Sequence, residues 1–359
     1  MNAHDMLRAA AVDGGDTARL HAMVKKASEG KPITIAFLGG SITAGCNASS
    51  KETRYVELVH AWFRCRFPSS TVKCVNAGVG ATTSLIGAHR VERDVLSHNP
   101  DLVVLDFAVN DSEAFIFRES YESLVCRLMA APSAPAVLSL FMIIEGGKNV
   151  QDQQMEICRC YRVPMISYRN LMWSLLAQNV YQWKDVSTDE VHPNDTGHRM
   201  TASLITAFLE EIQDAPATSP SAASLSVPFP SAPVFGRRYM QGKILNAAAL
   251  VPSKSSGFVR DGGGFQVFAD GWKCRKGGGT LGLAVEGANI SVLYKKTTQE
   301  GSGTLTILSP EKISVETFFP GGWGDYAETI EIIHSEKSAV HNLLLEADGP
   351  VSILGFLVS

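Results

Sequence analysis

The sequence is short of charge, has no long basic or acidic block, and has no apolar run long enough for a membrane. Each shortage removes a class of function. Charged residues make up 19% of the 359-residue chain, and the formal net charge is -4 with a pI near 6.2. Such a chain carries no electrostatic footprint for nucleic acid. The longest nearly apolar run, Ala134 to Ile144, is far shorter than a membrane span. The opening MNAHDMLRAAAVDGGD contains Asp5 and only a short apolar patch before Asp13, which lacks the basic head and apolar body of a secretion leader. A soluble, cytoplasmic protein with neither nucleic acid nor membrane as partner is therefore expected. The seven cysteines are odd in number and scattered, which fits a reducing compartment better than a disulfide framework. Cys158 and Cys160 have neither the usual zinc spacing nor a second Cys/His pair, so no metal site is expected there. No internal repeat suggests a propeller or solenoid.

What is present is apolar residue in quantity, 45% of the chain, over a length that exceeds what one core usually serves. Two domains are expected. Ile33 to Leu38 is an unbroken apolar, β-branched run that fits a strand buried on both faces. Gly39 and Gly40 then allow a sharp turn, and Ser41 follows. Further strands are expected at Val72 to Asn76, Asp101 to Phe107, Ala136 to Ile144 and Pro164 to Tyr168. Helices are expected at Thr17 to Glu29, Tyr55 to Phe67, Leu85 to His98, Tyr121 to Ala130, Gln151 to Arg162 and Asp195 to Ile212. Alternation of this kind predicts an α/β domain over 1–213, with a mostly parallel sheet covered by helices on both faces.

Residues 214–235 are rich in Pro, Ser and Ala without apolar period, and read as a linker. From 236 to 359 helical patterns vanish. Short β-rich runs appear at Gly264 to Phe268, Thr280 to Val285, Ile290 to Tyr294, Thr304 to Leu308, Ile313 to Phe319, Thr329 to Ile333, Leu343 to Ala347 and Val351 to Val358. Their spacing predicts an antiparallel, jelly-roll-like β-sandwich.

Four short blocks fall where an open α/β sheet places its ligands, at the carboxyl ends of strands or before the last helix. Ser41 follows the first strand, Gly78 in VNAGVG follows the second, and Asn110 in DFAVND follows the third. Asp189 and His192 lie in TDEVHPND before the closing helix, three residues apart, so one turn can let the carboxylate orient the imidazole. Acyl transfer needs this set: a nucleophile, a base, an orienting carboxylate and oxyanion donors. Asp111, Asn194 and Asp195 have a plainer reading as turn or cap residues, and His198 as a packing or hydrogen-bonding histidine.

Together the blocks resemble the SGNH, or GDSL-like, hydrolase superfamily, in its branch with the opening block GGSIT, over about residues 17–213. The resemblance implies a flavodoxin-like three-layer fold, with Ser41 as nucleophile, His192 as general base and acid, and Asp189 as orienting group. Gly78 and Asn110, with the Ser41 amide, make its oxyanion hole. It implies no cofactor and no metal. Where many members have Gly before x-Asn-Asp, this chain has Ala108.

The loop from Pro320 to Tyr326 sets Trp323 and Tyr326 among glycines, where Trp323 either stacks on a sugar face or caps the sandwich core. Trp183 and Trp272 are further candidate sugar platforms. An SGNH domain followed by a sandwich is similar to bacterial carbohydrate O-acetylesterases, including mannooligosaccharide acetylesterases whose sandwich resembles a carbohydrate-binding module. That likeness implies removal of acetyl groups from plant-polysaccharide oligosaccharides, manno-oligosaccharides above xylan fragments, with the second domain helping to form the cleft; the Trp323 loop is expected to reach across to the Ser41 site. A lipid or thioester hydrolase and a non-catalytic sugar-binding protein are the competing readings, and a homodimer is left open.

Overall fold

The computed structural model describes residues 2–12, 14–214 and 230–359. They divide into two compact units, Met1–Met240 and Gln241–Ser359.

In the first unit the elements follow in the order α1 (Ala3–Ala9), α2 (Ala18–Ser28), β1 (Ile33–Gly39), α3 (Ser41–Ala44), α4 (Tyr55–Arg66), β2 (Val72–Gly78), α5 (Ser84–Asp94) and β3 (Leu102–Asp106). There follow α6 (Phe115–Met129), β4 (Ala136–Phe141), α7 (Gln151–Cys160), β5 (Met165–Ser167), α8 (Tyr168–Ala177), α9 (Trp183–Val186) and α10 (Asp195–Asp214). The described strands form a five-stranded sheet in the order β2-β1-β3-β4-β5, parallel throughout.

Alternate residues of each strand feed opposite faces. Ile33, Ile35 and Phe37 of β1 enter one core with Leu20, Met23 and Val24 of α2, Val56, Val59 and Phe63 of α4, and Leu204, Ile205 and Leu209 of α10. On the other face α5, α6 and α7 lie side by side. A sheet covered twice explains why β1 and β3 read as continuous apolar runs, and it gives the three-layer α/β architecture expected.

Differences lie at connections. Helices α1, α3, α8 and α9 have no counterpart among the expected elements. Helix α8 follows β5 without a loop, its first turn capped by Ser167 Oγ, which accepts from the Asn170 amide at 3.0 Å. Helix α6 begins at Phe115 rather than Tyr121. Helix α5 stops at Asp94 because Val95 leaves helical geometry, and Asn99 then turns left-handed.

The expected linker over 214–235 lies largely outside the described residues. Its described end, from Pro230, is tied to the first unit: buried Glu122 accepts the amides of Val234 (2.8 Å), Phe235 (2.7 Å) and Gly236 (2.9 Å). The Tyr239 amide donates to Ser123 Oγ at 3.0 Å. A carboxylate that has left water needs such donors. For that reason the second unit starts at Gln241, five residues beyond the expected 236.

The second unit holds β6 (Lys243–Leu245), β7 (Lys254–Ser256), β8 (Phe258–Asp261), β9 (Gly271–Cys274), β10 (Gly279–Lys296), β11 (Thr304–Ser309), β12 (Ile313–Glu316), β13 (Tyr326–Ala347) and β14 (Val351–Val358). Their pairing along the described residues is antiparallel and makes a nine-stranded sheet with the path β12-β11-β13-β10-β14-β9-β8. Long β10 and β13 run through both halves and change register at bulges between Gly287 and Asn289 and between Ile290 and Ser291. Side chains from both halves share one core, Leu281, Leu305 and Leu345 from one and Ile290, Trp272 and Phe356 from the other. The sheet is thus folded on itself as a sandwich. Gly264 to Phe268 contributes only an isolated bridge between Phe265 and Phe268.

Candidate active site

Parallel register brings three strand ends level. Gly39 of β1 pairs with Gly78 of β2 and with Asp106 of β3. Ser41 opens α3 immediately above that edge. The turn is crowded: a Cβ on Gly40 would sit 2.4 Å from Asn110 Oδ1, and one on Gly78 would sit 2.2 Å from the Ala44 nitrogen. A side chain at Gly78 would meet backbone and one at Gly40 the end of the Asn110 side chain, and both positions bring backbone beside α3.

Two hydrogen bonds link the predicted triad. Ser41 Oγ lies 2.8 Å from His192 Nε2, and His192 Nδ1 lies 2.8 Å from Asp189 Oδ2. A carboxylate only accepts, so Nδ1 carries the hydrogen and Nε2 faces the serine as an acceptor. Asp189 also accepts the Val191 amide (2.7 Å), the His192 amide (2.6 Å) and Asn47 Nδ2 (2.8 Å). Burial pushes this carboxyl up, but the His192 amide, the imidazole, the Val191 amide and Asn47 together outweigh it and hold the group at about 2. Asp189 is therefore ionised at neutral pH.

The turn that carries them is braced. Ser187 Oγ lies 2.7 Å from the Asp189 carbonyl and 2.6 Å from the His192 carbonyl. Trp183 Nε1 donates to the same Asp189 carbonyl at 2.8 Å, and the indole packs partly buried on the core. Trp183 thus supports the acid's turn from within the first unit. At the start of α10, Asn194 Oδ1 accepts the Thr196 and Gly197 amides at 2.9 and 3.2 Å, a cap as expected.

Of the expected oxyanion donors, the Asn110 side chain lies against Gly40 and makes no hydrogen bond among the described residues. The Gly78 amide donates to Asn76 Oδ1 at 2.9 Å, and Asn76 Nδ2 in turn donates to the Thr43 carbonyl at 2.9 Å. Behind these strand ends Arg90 is wholly buried. Its guanidinium donates to the carbonyls of Ala77 (2.7 Å) and Gly39 (2.9 Å), with Asp94 at 3.1 Å as its ionic partner. Burial pulls it down to about 10, so it stays charged at neutral pH.

A second buried polar group lies under α3. Thr43 Oγ1 donates to Asp106 Oδ2 at 2.9 Å and contacts the Tyr55 hydroxyl at 2.9 Å, while Asp106 Oδ1 has no partner among the described residues. His198 is fully buried, its Nε2 3.1 Å from the Cys46 carbonyl and its Nδ1 3.4 Å from the Tyr55 amide, the structural part expected of it. Asp111 caps α5 through the Ser84 amide at 2.8 Å.

In the second unit Trp323 is 70% exposed, which rules out a core cap. It stacks on Tyr326 with ring centroids 5.0 Å apart, and Phe319 meets both rings edge-on. Trp272 is 3% exposed and belongs to the sandwich core, which corrects its expected place among sugar platforms: no face is left for a ligand. Asn47, Asn76, Arg90 and Ser187 were not foreseen. An exposed Asn in a loop carries no periodic signal, and a buried Arg reads as surface helix.

Among the described residues no group of His, Cys, Asp and Glu is arranged for a metal ion, and no helix is long and apolar enough to cross a membrane. Residues 37–200 match the model of the GDSL-like lipase/acylhydrolase family. A crystal structure of a two-domain esterase active on acetylated mannans is 30% identical and superposes with a TM-score of 0.92, covering 98% of both chains. A two-domain esterase of the same description, co-crystallised with mannopentaose, is 29% identical with a TM-score of 0.90, covering 98% of this chain and 97% of that one. No curated protein matches the chain. Family model, whole-length similarity and fold agree: this chain belongs to the GDSL-like lipase/acylhydrolase family and is a carboxylic ester hydrolase.

Proposed function

We propose that the protein is a serine O-acetylesterase acting on acetylated manno-oligosaccharides, with Ser41 as nucleophile, His192 as general base and acid, and Asp189 as orienting carboxylate. The observation that carries this reading is the unbroken path of two 2.8 Å hydrogen bonds from Ser41 Oγ through the imidazole to Asp189 Oδ2.

In the first half-reaction Ser41 Oγ attacks the acetyl carbonyl carbon while His192 Nε2 takes its proton. The tetrahedral intermediate collapses, the sugar hydroxyl leaves with that proton, and acetyl remains on Ser41. Water then attacks the acetyl-enzyme with the same histidine as base, and acetate leaves. The developing oxyanion is held by the Ser41 and Gly78 amides and the Asn110 side chain. An exposed, neutral Asn76 oxygen is a weaker acceptor than an oxyanion, so the Gly78 amide can exchange toward the substrate. Ala77 carbonyl and Gly78 amide belong to one peptide unit, and a guanidinium on the carbonyl side polarises the amide in the favourable sense.

The substrate rests on two supports. An esterase similar over 98% of both chains acts on acetylated mannans. The second unit also offers the exposed Trp323 face, stiffened by Tyr326 and Phe319, as a platform for a pyranose ring. We assign catalysis to the first unit and sugar binding to the second, and place the reaction on imported oligosaccharides in the cytoplasm, where seven unpaired cysteines are at home.

Mass spectrometry of acetylated manno-oligosaccharides, acetylated xylo-oligosaccharides and long-chain acyl esters, before and after incubation, tests the reading. Stepwise loss of acetyl groups from the manno series is expected, abolished by Ser41→Ala. Preference for long acyl chains, or full activity in Ser41→Ala, overturns it.

A further inference from the structure

Asp189 has about four acceptor sites, two on each oxygen, and all four are filled. Three of the four donors, the Val191 amide, the His192 amide and His192 Nδ1, lie within three residues of it and move with its own turn. The fourth, Asn47 Nδ2, comes from the other side of the site, six residues after Ser41. It reaches Oδ2, the oxygen that also receives the imidazole, and the same amide donates to Thr188 Oγ1 at 2.7 Å.

The segment that bears Asn47 leaves the nucleophile's helix with Gly45 and Asn47 both left-handed, at φ 93° and 64°. Asparagine tolerates that conformation better than most residues. Flanking bonds hold the segment to the base's side independently: the Cys46 carbonyl lies on His198 Nε2, and the Ser49 amide donates to Asp195 Oδ1 at 2.8 Å. The backbone is thus fixed by other groups, and the Asn47 amide is left to bond the carboxylate and the Thr188 hydroxyl.

We infer that Asn47 is a positioning residue of the triad: its amide references the Asp189 carboxylate to the chain segment carrying Ser41, so that acid, base and nucleophile share one frame. The inference rests on the proposed triad. Without Asn47, Asp189 keeps only donors from its own turn, and the carboxylate loses its hydrogen bond to the segment that follows Ser41.

The test is Asn47→Gly. Glycine accepts φ 64° without strain and removes only the amide. On a small aryl acetate, Asn47→Gly is expected to lower kcat about 10-fold or more, the scale of one hydrogen bond to a charged group, with KM and the thermal midpoint unchanged. Asn47→Asp, which sets a carboxylate against Asp189, is expected to lower kcat further. Wild-type kcat in Asn47→Gly overturns the inference, as does a loss of kcat matched by a fall in thermal midpoint. Ser41→Ala run in parallel separates the two readings: if it stays active the triad itself is wrong, whereas an inactive Ser41→Ala beside a fully active Asn47→Gly removes only the role of Asn47.

Discussion

Beneath the Ser41 turn the buried Asp106 carboxyl has, among the described residues, one donor, Thr43, and one oxygen without a partner. Burial raises it to about 7, and the Thr43 hydrogen bond only partly opposes the rise. Its folded value therefore exceeds its unfolded one, so its contribution to stability is complete below about pH 4 and is lost as pH climbs through about 7. Asp111 is raised to about 7 by burial as well and adds a slope of the same sign. Asp106→Asn keeps an acceptor for Thr43 and cannot ionise. Its thermal midpoint relative to wild type should rise by on the order of 5 °C between pH 5 and pH 8, as followed by circular dichroism. A constant difference across that range would contradict the assignment. At this scale the sequence was informative where chemistry demands rare combinations: a serine after two glycines, and an aspartate three residues before a histidine, are now found within hydrogen-bond reach. Asn47 and Arg90 were illegible because their partners, Asp189 and the Gly39 and Ala77 carbonyls, are distant in sequence or belong to backbone.

At the scale of elements, the level ends of β1, β2 and β3 set the site. Gly78 at the end of β2 is where α3 comes closest, and a methyl there would meet Thr43 and Ala44 backbone. Backbone cannot rotate aside as a flexible side chain can. Gly78→Ala should displace α3, lower kcat/KM by roughly 10²–10³-fold, as loss of an oxyanion donor does, and lower the thermal midpoint. Unchanged kinetics would show that α3 yields without cost to the site. Strands buried on both faces were legible because helices exclude water from every residue, which leaves an uninterrupted apolar run. Helix α8 was missed because β5 is only three residues long and passes straight into it. The two apolar runs within β10, and likewise those in β13, read as separate strands because Gly287 and the polar stretch after Ile333 resemble turns. In the structure the strand continues and the irregularity is taken up by bulges.

For the whole molecule, two units account for the change of pattern in the sequence, and the first extends to Met240, with its Glu122 binding the chain at the end of the Pro/Ser/Ala-rich stretch. That tie joins residues more than a hundred positions apart, which no local pattern reveals. The two-domain esterase superposes over 98% of both chains, so the likeness extends through both units. The proposed mechanism requires a covalent bond between Ser41 and the acyl group. Its most direct measurement is to inactivate the protein with a serine-directed organophosphate and map the adduct by peptide mass spectrometry. One adduct per chain is expected, on Ser41, formed in step with loss of aryl-acetate hydrolysis and suppressed in His192→Ala. Complete inactivation with Ser41 unmodified, or an adduct on another residue that tracks the loss, would contradict it.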